Sequence, residues 1–271
     1  MWRHTRRGDR YVTVMIDLTP VRDRSGPARL LDVVPGRSKK ALQDLALPAR
    51  PGLAWAGRGG SHGAVSPGPE SAAGEELPQA RAVMDPFHVV SLAGDKLDEC
   101  RRRVQRAITG RRGRAGDRLY RARRTLLTGA DLLTDTQARR LQALFADDRY
   151  AAVQAAWGVY QRLIQAYRTE DPGLGKYLMQ RLIDSLKQAI PEGLEEIQTL
   201  AKTLTGRASD ILAYFDQPRT SNGPTEAING RLEHLRGIAL GFRNLTNYTI
   251  RSLIHTGRLK DHLTTTTSTS R

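Results

Sequence analysis

Residues 82–108 of the chain have the sequence AVMDPFHVVSLAGDKLDECRRRVQRAI. The first three residues are apolar and are followed by Asp85-Pro86. The apolar residues Ala82–Met84 predict a short strand, which ends at Asp85-Pro86, where proline holds Asp85 in an extended conformation. Beyond the proline, apolar residues recur at helical spacing, at Ala93, Leu97, Cys100, Val104 and Ile108. This spacing predicts an amphipathic helix, so the stretch marks the place where strands give way to helices.

The chain before this point is predicted to belong to a sheet. Tyr11–Leu18 (YVTVMIDL) and Arg29–Val34 (RLLDVV) are rich in β-branched and apolar residues, which predicts two strands near a hairpin. A short helix is expected at Ser38–Leu47. Pro48–Gly74 is rich in glycine and proline and has no apolar period, so it is predicted to be a loop or a disordered linker.

The chain after this point is predicted to be helical as far as about Asp216. Thr134 and Gln137 have the spacing of a capping box, which predicts the start of one helix. Further helices are expected at 150–167, at 175–189, and at 191–215 with a break near Gly206. A last helix is expected to start at Pro224, and the polar tail 264–271 is expected to be disordered. The pattern predicts an α/β fold in which a large all-helical insertion interrupts the sheet.

The composition favours a polyanionic partner. The 271 residues include 43 Lys and Arg against 28 Asp and Glu, a net charge of +15. Most of the basic residues are arginine, whose planar guanidinium suits phosphate. No apolar run approaches the roughly 20 residues that a membrane helix needs. Cys100 is the only cysteine, which excludes a disulfide framework, and the basic N-terminus lacks the apolar core of a secretory signal. We therefore expect a cytoplasmic protein.

The first candidate site is Asp85 with His88. One interpretation places a functional carboxylate where a strand gives way to a helix. The other makes Asp85 a helix N-cap with Pro86 in the first helical position, and His88 a packed or surface histidine. The spacing alone favours the second interpretation.

The second candidate is Glu226, in the sequence TSNGPTEAINGRLE (220–233). Pro224 suits the first helical position, which puts Glu226 in the first turn, on the polar face opposite an apolar stripe. An acidic residue there also complements the helix dipole, so a purely structural role stays open.

The third candidate is a block of arginines between residues 101 and 124, in which Asp117 is the only acidic residue. A solvated charged face is one interpretation, but such density favours contact with nucleic acid. The predicted DNA-binding residues are Arg101, Arg102, Arg103, Arg106, Arg111, Arg112, Arg114, Arg118, Arg121, Arg123 and Arg124.

Several stretches together resemble transposases of the insertion-sequence L-three family. They cover most of the chain from Trp2 to about Leu253. The matching sequences are WRHTRRGDRYVTVMIDLTPVR, LLDVVPGRS, VMDPFHVV, LDECRRRVQ, TGADLLT, AYFDQPRTSNGPTEAINGRLEHLRG and ALGFRNLTNY.

The resemblance implies a ribonuclease H-like fold, with its first part at 1–92, a helical insertion at 93–218 and a C-terminal helical part at 219–262. It implies cleavage and strand transfer of DNA by two Mg²⁺ or Mn²⁺ ions held by an Asp-Asp-Glu triad. Glu226 matches the third acid and is thus the expected catalytic residue and metal ligand. Asp85 and His88 match a motif that follows the second acid. Residues 263–271 are expected to be a disordered tail.

The chain also departs from the family pattern. The first acid of the family lies just before the segment that matches 2–22, so we expect it to be absent, together with the family's N-terminal zinc-binding and helix-turn-helix parts. Asp9 and Asp17 are not convincing substitutes. The second acid is expected on a strand between about Trp55 and Ala72, a stretch that contains no aspartate. A disordered loop or a local frameshift at 48–74 would explain this.

The sequence therefore predicts a transposase that is truncated at its N-terminus and inactive as an isolated chain. The alternative is a non-enzymatic DNA-binding remnant of a transposase. The expected partners are double-stranded DNA at the ends of the element and either a second copy of the chain or a full-length transposase, with no membrane. A basic RNA-associated protein is the third interpretation, which the aromatic content of 6% disfavours.

Overall fold

The computed structural model describes residues 12–35, 55–57, 82–188, 190–217, 220, 223–242 and 244–257. The chain divides into two compact units. The sheet unit comprises Met1–Val83 with Pro218–Arg271, and the helical unit comprises Met84–Gln217. Among the described residues, no helix is both long and apolar enough to span a membrane.

The first part of the sheet unit is an antiparallel pair of strands. β1 (Val12–Asp17) pairs with β2 (Arg29–Pro35), and a bulge lies between Met15 and Ile16. The one-turn helix α1 (Thr19–Arg22) connects them. These strands confirm the sequence prediction to within a residue at each end, because β-branched residues fit the pleated surface of a sheet.

Two short strands form a second pair. β3 (Trp55–Gly57) pairs with β4 (Ala82–Met84) in a two-stranded sheet. The strand at Ala82–Met84 was predicted, but the prediction of a loop or disordered linker at Pro48–Gly74 is wrong at Trp55–Gly57. A three-residue strand is too short for an alternating pattern to show in a glycine-rich sequence. The helix expected at Ser38–Leu47 lies outside the described residues, as do most of 48–74 and the C-terminal tail.

The helical unit begins with its longest helix, α2 (Pro86–Thr109), which ends at Gly110 in the left-handed region with φ of 68°. A short helix α3 (Arg118–Arg121) and three 3₁₀ turns follow. The remaining helices are α4 (Asp135–Phe145), α5 (Ala151–Arg168), α6 (Pro172–Gln188), α7 (Glu195–Gly206) and α8 (Ala208–Asp216). The capping box of Thr134 and Gln137 at the start of α4 is confirmed.

The core of the helical unit lies around α2. The apolar stripe predicted on this helix is buried from Ala93 to Val104 and packs against α5 and α7, while α6 packs between α5 and α8. The helix expected from Pro191 begins later, at Glu195, after Gly193 adopts a φ of 82°. The break expected near Gly206 is confirmed, since α7 ends there and α8 begins at Ala208.

Two helices complete the sheet unit. α9 (Gly223–Ile238) was predicted from Pro224, but it is not the last helix, because α10 (Leu245–Thr256) follows it. Ile228, Leu232 and Tyr248 from these helices are buried against Leu30 and Val33 of β2. The described chain is therefore mostly helical, with a small amount of antiparallel sheet.

Candidate functional site

Asp85 begins α2 in the helical unit. Its backbone is extended, with φ of −63° and ψ of 126°, and its carboxylate accepts a hydrogen bond of 3.1 Å from the backbone N–H of Phe87. The residue is only 4% exposed. The structure therefore shows the capping role that was one of the two interpretations of this residue.

The surroundings of Asp85 include two tyrosines. The pKa of Tyr167 is raised above its ordinary value, mainly by burial. The neighbouring Tyr214 and the charge of Asp85 raise it further. Burial and Asp85 raise the pKa of Tyr214 in the same way. Both tyrosines belong to the helical unit, on α5 and α8, so the Asp85 carboxylate faces the interior of that unit.

His88 lies one helical turn after Asp85. Its backbone N–H donates to the Asp85 carbonyl at 3.0 Å, and its half-buried ring meets the Phe87 ring edge-on, with centroids 5.9 Å apart. The Asp-x-x-His motif is thus placed on the first turn of the longest helix.

Glu226 lies in the first turn of α9 in the sheet unit, as predicted. It is exposed, while Ile228 and Leu232 on the apolar stripe are buried. Its carboxylate is therefore accessible at the positive end of the helix dipole, where negative charge is stabilised.

Asp17, one of the two acids considered as substitutes for the first acid of the family, interacts with neighbouring groups, and Asp9 lies outside the described residues. The Asp17 carboxylate lies 2.6 Å from the Arg29 guanidinium and accepts a hydrogen bond of 2.8 Å from the Thr19 backbone N–H. Within the parts of the chain that the structure describes, no three Asp, Glu, His or Cys side chains are grouped so that they could hold a metal ion. The described residues therefore do not supply the donor set of a two-metal centre.

The arginine block divides into two groups, and the first group has structural partners. Arg101 is 5% exposed and lies 2.7 Å from Asp98, which also pairs with Arg102 at 3.0 Å. Arg111 pairs with Asp117 at 3.0 Å. Two more donate to backbone carbonyls: Arg118 to Ala143 at 2.8 Å and Arg123 to Tyr120 at 3.1 Å.

Arg103 has the largest set of partners in this group. Its guanidinium lies 2.8 Å from Glu196 and 3.2 Å from Glu195, and it donates a hydrogen bond of 2.6 Å to the carbonyl of Gly193. The hydrogen bond with Glu196 is the main cause that raises the pKa of Arg103 above its ordinary value. Arg103 thus connects α2 to the start of α7.

The second group consists of exposed arginines that have no carboxylate within ion-pair distance among the described residues. Its members are Arg106, Arg112, Arg114, Arg121 and Arg124. Their guanidinium groups can donate charge-assisted hydrogen bonds to an anion.

A cavity of about 240 Å³ lies between α3 and α4, and three arginines line it: Arg118, Arg121 and Arg140. Its other walls are mostly apolar and include Leu141 and Leu144. We call this space, together with the three arginines that line it, the arginine cavity. The sequence prediction missed Arg140, because it lies outside the block and only the fold brings α4 beside α3. The Arg139-Arg140 pair in the middle of α4 was the one available signal.

A second cavity, of about 210 Å³, is lined by Glu99, Arg102, Arg103, Arg106 and Arg112. The helical unit thus has two concave surfaces on which guanidinium groups converge. Such surfaces focus positive potential and attract polyanions. The geometry defines this unit as a candidate binding site for nucleic acid.

The comparison with protein families agrees with a nucleic-acid-binding protein. Residues 66–252 match the model of the insertion-sequence L-three family of DDE transposases, which is described as Transposase. Because the match covers well over half of the chain, the protein belongs to this transposase family. No curated protein matches the chain, and no solved structure matches it either.

Proposed function

We propose that the protein is a DNA-binding transposase whose helical unit binds the phosphates of double-stranded DNA through its exposed arginines. The observation that supports this most directly is the arginine cavity. The family assignment supports DNA as the partner, and the net charge of +15 favours the same partner.

Arg118, Arg121 and Arg140 place three positive charges on one concave surface, and this arrangement favours an anion there. A solvated charged face would spread its charges outward. A phosphate oxygen in the cavity would instead accept charge-assisted hydrogen bonds from the guanidinium groups. Arg106, Arg112, Arg114 and Arg124 would add contacts along the DNA backbone, which fix position without reading sequence.

A salt titration of duplex binding tests this proposal. The logarithm of the binding constant should fall linearly with the logarithm of salt concentration, with a slope of about −0.9 for each phosphate neutralised. Arg121→Gln and Arg140→Gln should each make the slope shallower by about one unit.

Arg181→Gln is the matched control, since Arg181 is an exposed arginine of α6 that does not line the cavity. It should have a smaller effect than either cavity substitution. A wild-type slope near zero, or cavity variants that retain the wild-type slope, would contradict the proposal.

For the chemistry, we propose a ribonuclease H-like domain interrupted by the helical insertion, in which Glu226 occupies the place of the third acidic metal ligand. Two-metal phosphoryl transfer needs several carboxylates around ions about 3.5–4 Å apart. The stretch 55–72 contains no aspartate, and the Asp85 carboxylate is a buried helix cap. We therefore propose that the isolated chain does not complete the two-metal centre and binds DNA without cutting it.

A cleavage and strand-transfer assay with Mg²⁺ or Mn²⁺ on the ends of the element tests this part. We expect no turnover by the chain alone. Turnover that Glu226→Gln abolishes would refute the proposed inactivity, and it would show that Glu226 acts in catalysis. Glu233→Gln is a suitable control, because Glu233 is an exposed acid two turns later on the same helix and pairs with Arg236.

A further inference from the structure

Leu240 follows the end of α9 in the sheet unit and has an unusual backbone conformation. Its φ is +53°, in the left-handed region, where L side chains are rarely found. The N–H of Gly241 donates to the Arg236 carbonyl at 2.9 Å, which closes the helix. Glycine is the residue that most often occupies this position at a helix end.

The side chain of Leu240 gains nothing from packing, because the residue is 97% exposed. The apolar contact that often accompanies such a cap is made by the residue after the left-handed one, which here is Gly241, so the cap does not require an apolar side chain at Leu240. Glycine is present on both sides, at Gly237 and Gly241, but not here. Neither backbone geometry nor burial accounts for a leucine, and such an outlier points to a function outside the fold.

The turn that carries Leu240 is firmly held. Asn244 caps α10 by accepting hydrogen bonds from the backbone N–H groups of Thr246 and Asn247. Phe242 packs against the buried Tyr248, with ring centroids 5.1 Å apart, and the Arg251 guanidinium lies 6.0 Å from the Phe242 ring. Leu240 is thus an apolar tip on an anchored turn between two helices.

The sequence around this tip is basic. No aspartate or glutamate occurs between Glu233 and Asp261, whereas Arg243 and Arg251 lie in this stretch, together with Arg236, which pairs with Glu233. An apolar side chain in such surroundings suits a polyanion that also has an apolar interior. Stacked base pairs between phosphate backbones are a ligand of this kind.

We propose that Leu240 is a wedge that inserts between adjacent base pairs of bound DNA and unstacks them. The inference rests on the proposed DNA binding. Leucine is one of the side chains with which DNA-binding proteins open base steps, and the bend that results brings more protein surface against the duplex. Insertion should be easiest at pyrimidine–purine steps such as TA, which unstack most readily.

The probe for this proposal is a duplex of alternating thymine and adenine in which 2-aminopurine replaces the adenines of one strand. The fluorescence of 2-aminopurine rises when it is unstacked, while the anisotropy of a dye on the duplex end reports binding separately. The wild-type chain at saturation should raise the 2-aminopurine fluorescence severalfold. Leu240→Asn, which tolerates the left-handed conformation but is polar, should bind the duplex and lose most of this rise.

Two controls separate the wedge from other effects. Leu240→Met keeps an apolar tip and should retain the fluorescence rise. Ile254→Asn removes another exposed apolar side chain, 60% exposed on α10, and should also leave the rise unchanged. The melting temperature of Leu240→Asn should be at or above the wild-type value, which excludes unfolding as the cause.

The possible failures are distinguishable. Absence of any anisotropy change with the wild-type chain contradicts DNA binding itself. Binding without a fluorescence rise, or an undiminished rise in Leu240→Asn, overturns the wedge and leaves DNA binding intact. A shift from dimer to monomer in Leu240→Asn with unchanged fluorescence would show that the leucine contacts a second copy of the chain instead.

Discussion

The side chain of Asp85 caps the first turn of α2. Its carboxylate accepts the Phe87 N–H and is buried at the start of α2. We expect Asp85→Ala to lower the free energy of unfolding by about 1 kcal/mol, because an N-cap is lost. Urea denaturation measures this. Asp85→Asn keeps the acceptor oxygen and should stay close to wild type, whereas an equal loss in both variants would mean that the charge, not the cap, is what stabilises the helix.

The ion pair of Asp17 with Arg29 leads to a prediction about the stability of the fold at acidic pH. Burial alone would raise the pKa of its carboxyl group, but the hydrogen bonds from Thr19 and the ion pair with Arg29 outweigh burial and lower the pKa below its ordinary value of 3.8. A lowered pKa in the folded state means that the carboxylate stabilises the fold above the ordinary value. This contribution is lost as the pH falls through the folded-state pKa.

Asp17→Asn should therefore lower stability at neutral pH. It should also reduce the loss of stability on acidification below about pH 4, where an aspartate in the unfolded state becomes protonated. Thermal unfolding followed between neutral pH and pH 2 tests this. An unchanged pH dependence in Asp17→Asn would show that the pair with Arg29 does not contribute.

At the scale of elements, Arg103 connects α2 to the start of α7 through Glu195, Glu196 and the Gly193 carbonyl. We expect Arg103→Gln to lower the free energy of unfolding by about 1 kcal/mol, a modest value because the guanidinium is partly exposed. It should leave the salt slope of DNA binding closer to wild type than Arg121→Gln does. The opposite ranking, with Arg103→Gln changing the slope more than Arg121→Gln, would return Arg103 to the DNA-binding residues.

The sequence could predict those helices and strands that a local residue pattern determines. The long helices followed from their apolar periodicity and the Thr134 capping box, since both signals are local. The last helix, α10, was missed because its threonines and isoleucines have little helix propensity; its Asn244 cap and the burial of Tyr248 hold it in place. The partners of Arg103 on α7 and at Gly193 lie ninety or more residues further along the chain, so no local pattern could separate it from the exposed arginines.

At the scale of the whole molecule, the family, the basic character and the location of Glu226 in a first helical turn could all be obtained from sequence. The arginine cavity could not, because it depends on α3 and α4 packing together and thus on Arg140 meeting Arg118 and Arg121. The exposure and the positive φ of Leu240 could not be predicted from sequence either, since both are properties of the folded chain.

The division of the chain into two units predicts that the helical unit folds on its own. The helical unit, Met84–Gln217, has a continuous hydrophobic core of its own that extends from Val89 to Phe215. A fragment of residues 84–217 should therefore be helical and unfold cooperatively, as a domain with its own core does. Circular dichroism during urea unfolding tests this, with Leu163→Ala, at a fully buried position, expected to cost about 2–5 kcal/mol.

The same fragment separates the two proposed DNA contacts. It contains the arginine cavity but not Leu240, so it should bind duplex DNA with a clear salt dependence and fail to raise 2-aminopurine fluorescence. Arg121→Gln in the fragment should reduce the slope by about one unit, as in the full chain. A folded fragment that does not bind would place the phosphate contacts in the sheet unit, where the basic stretch around Leu240 would then have to provide both affinity and distortion.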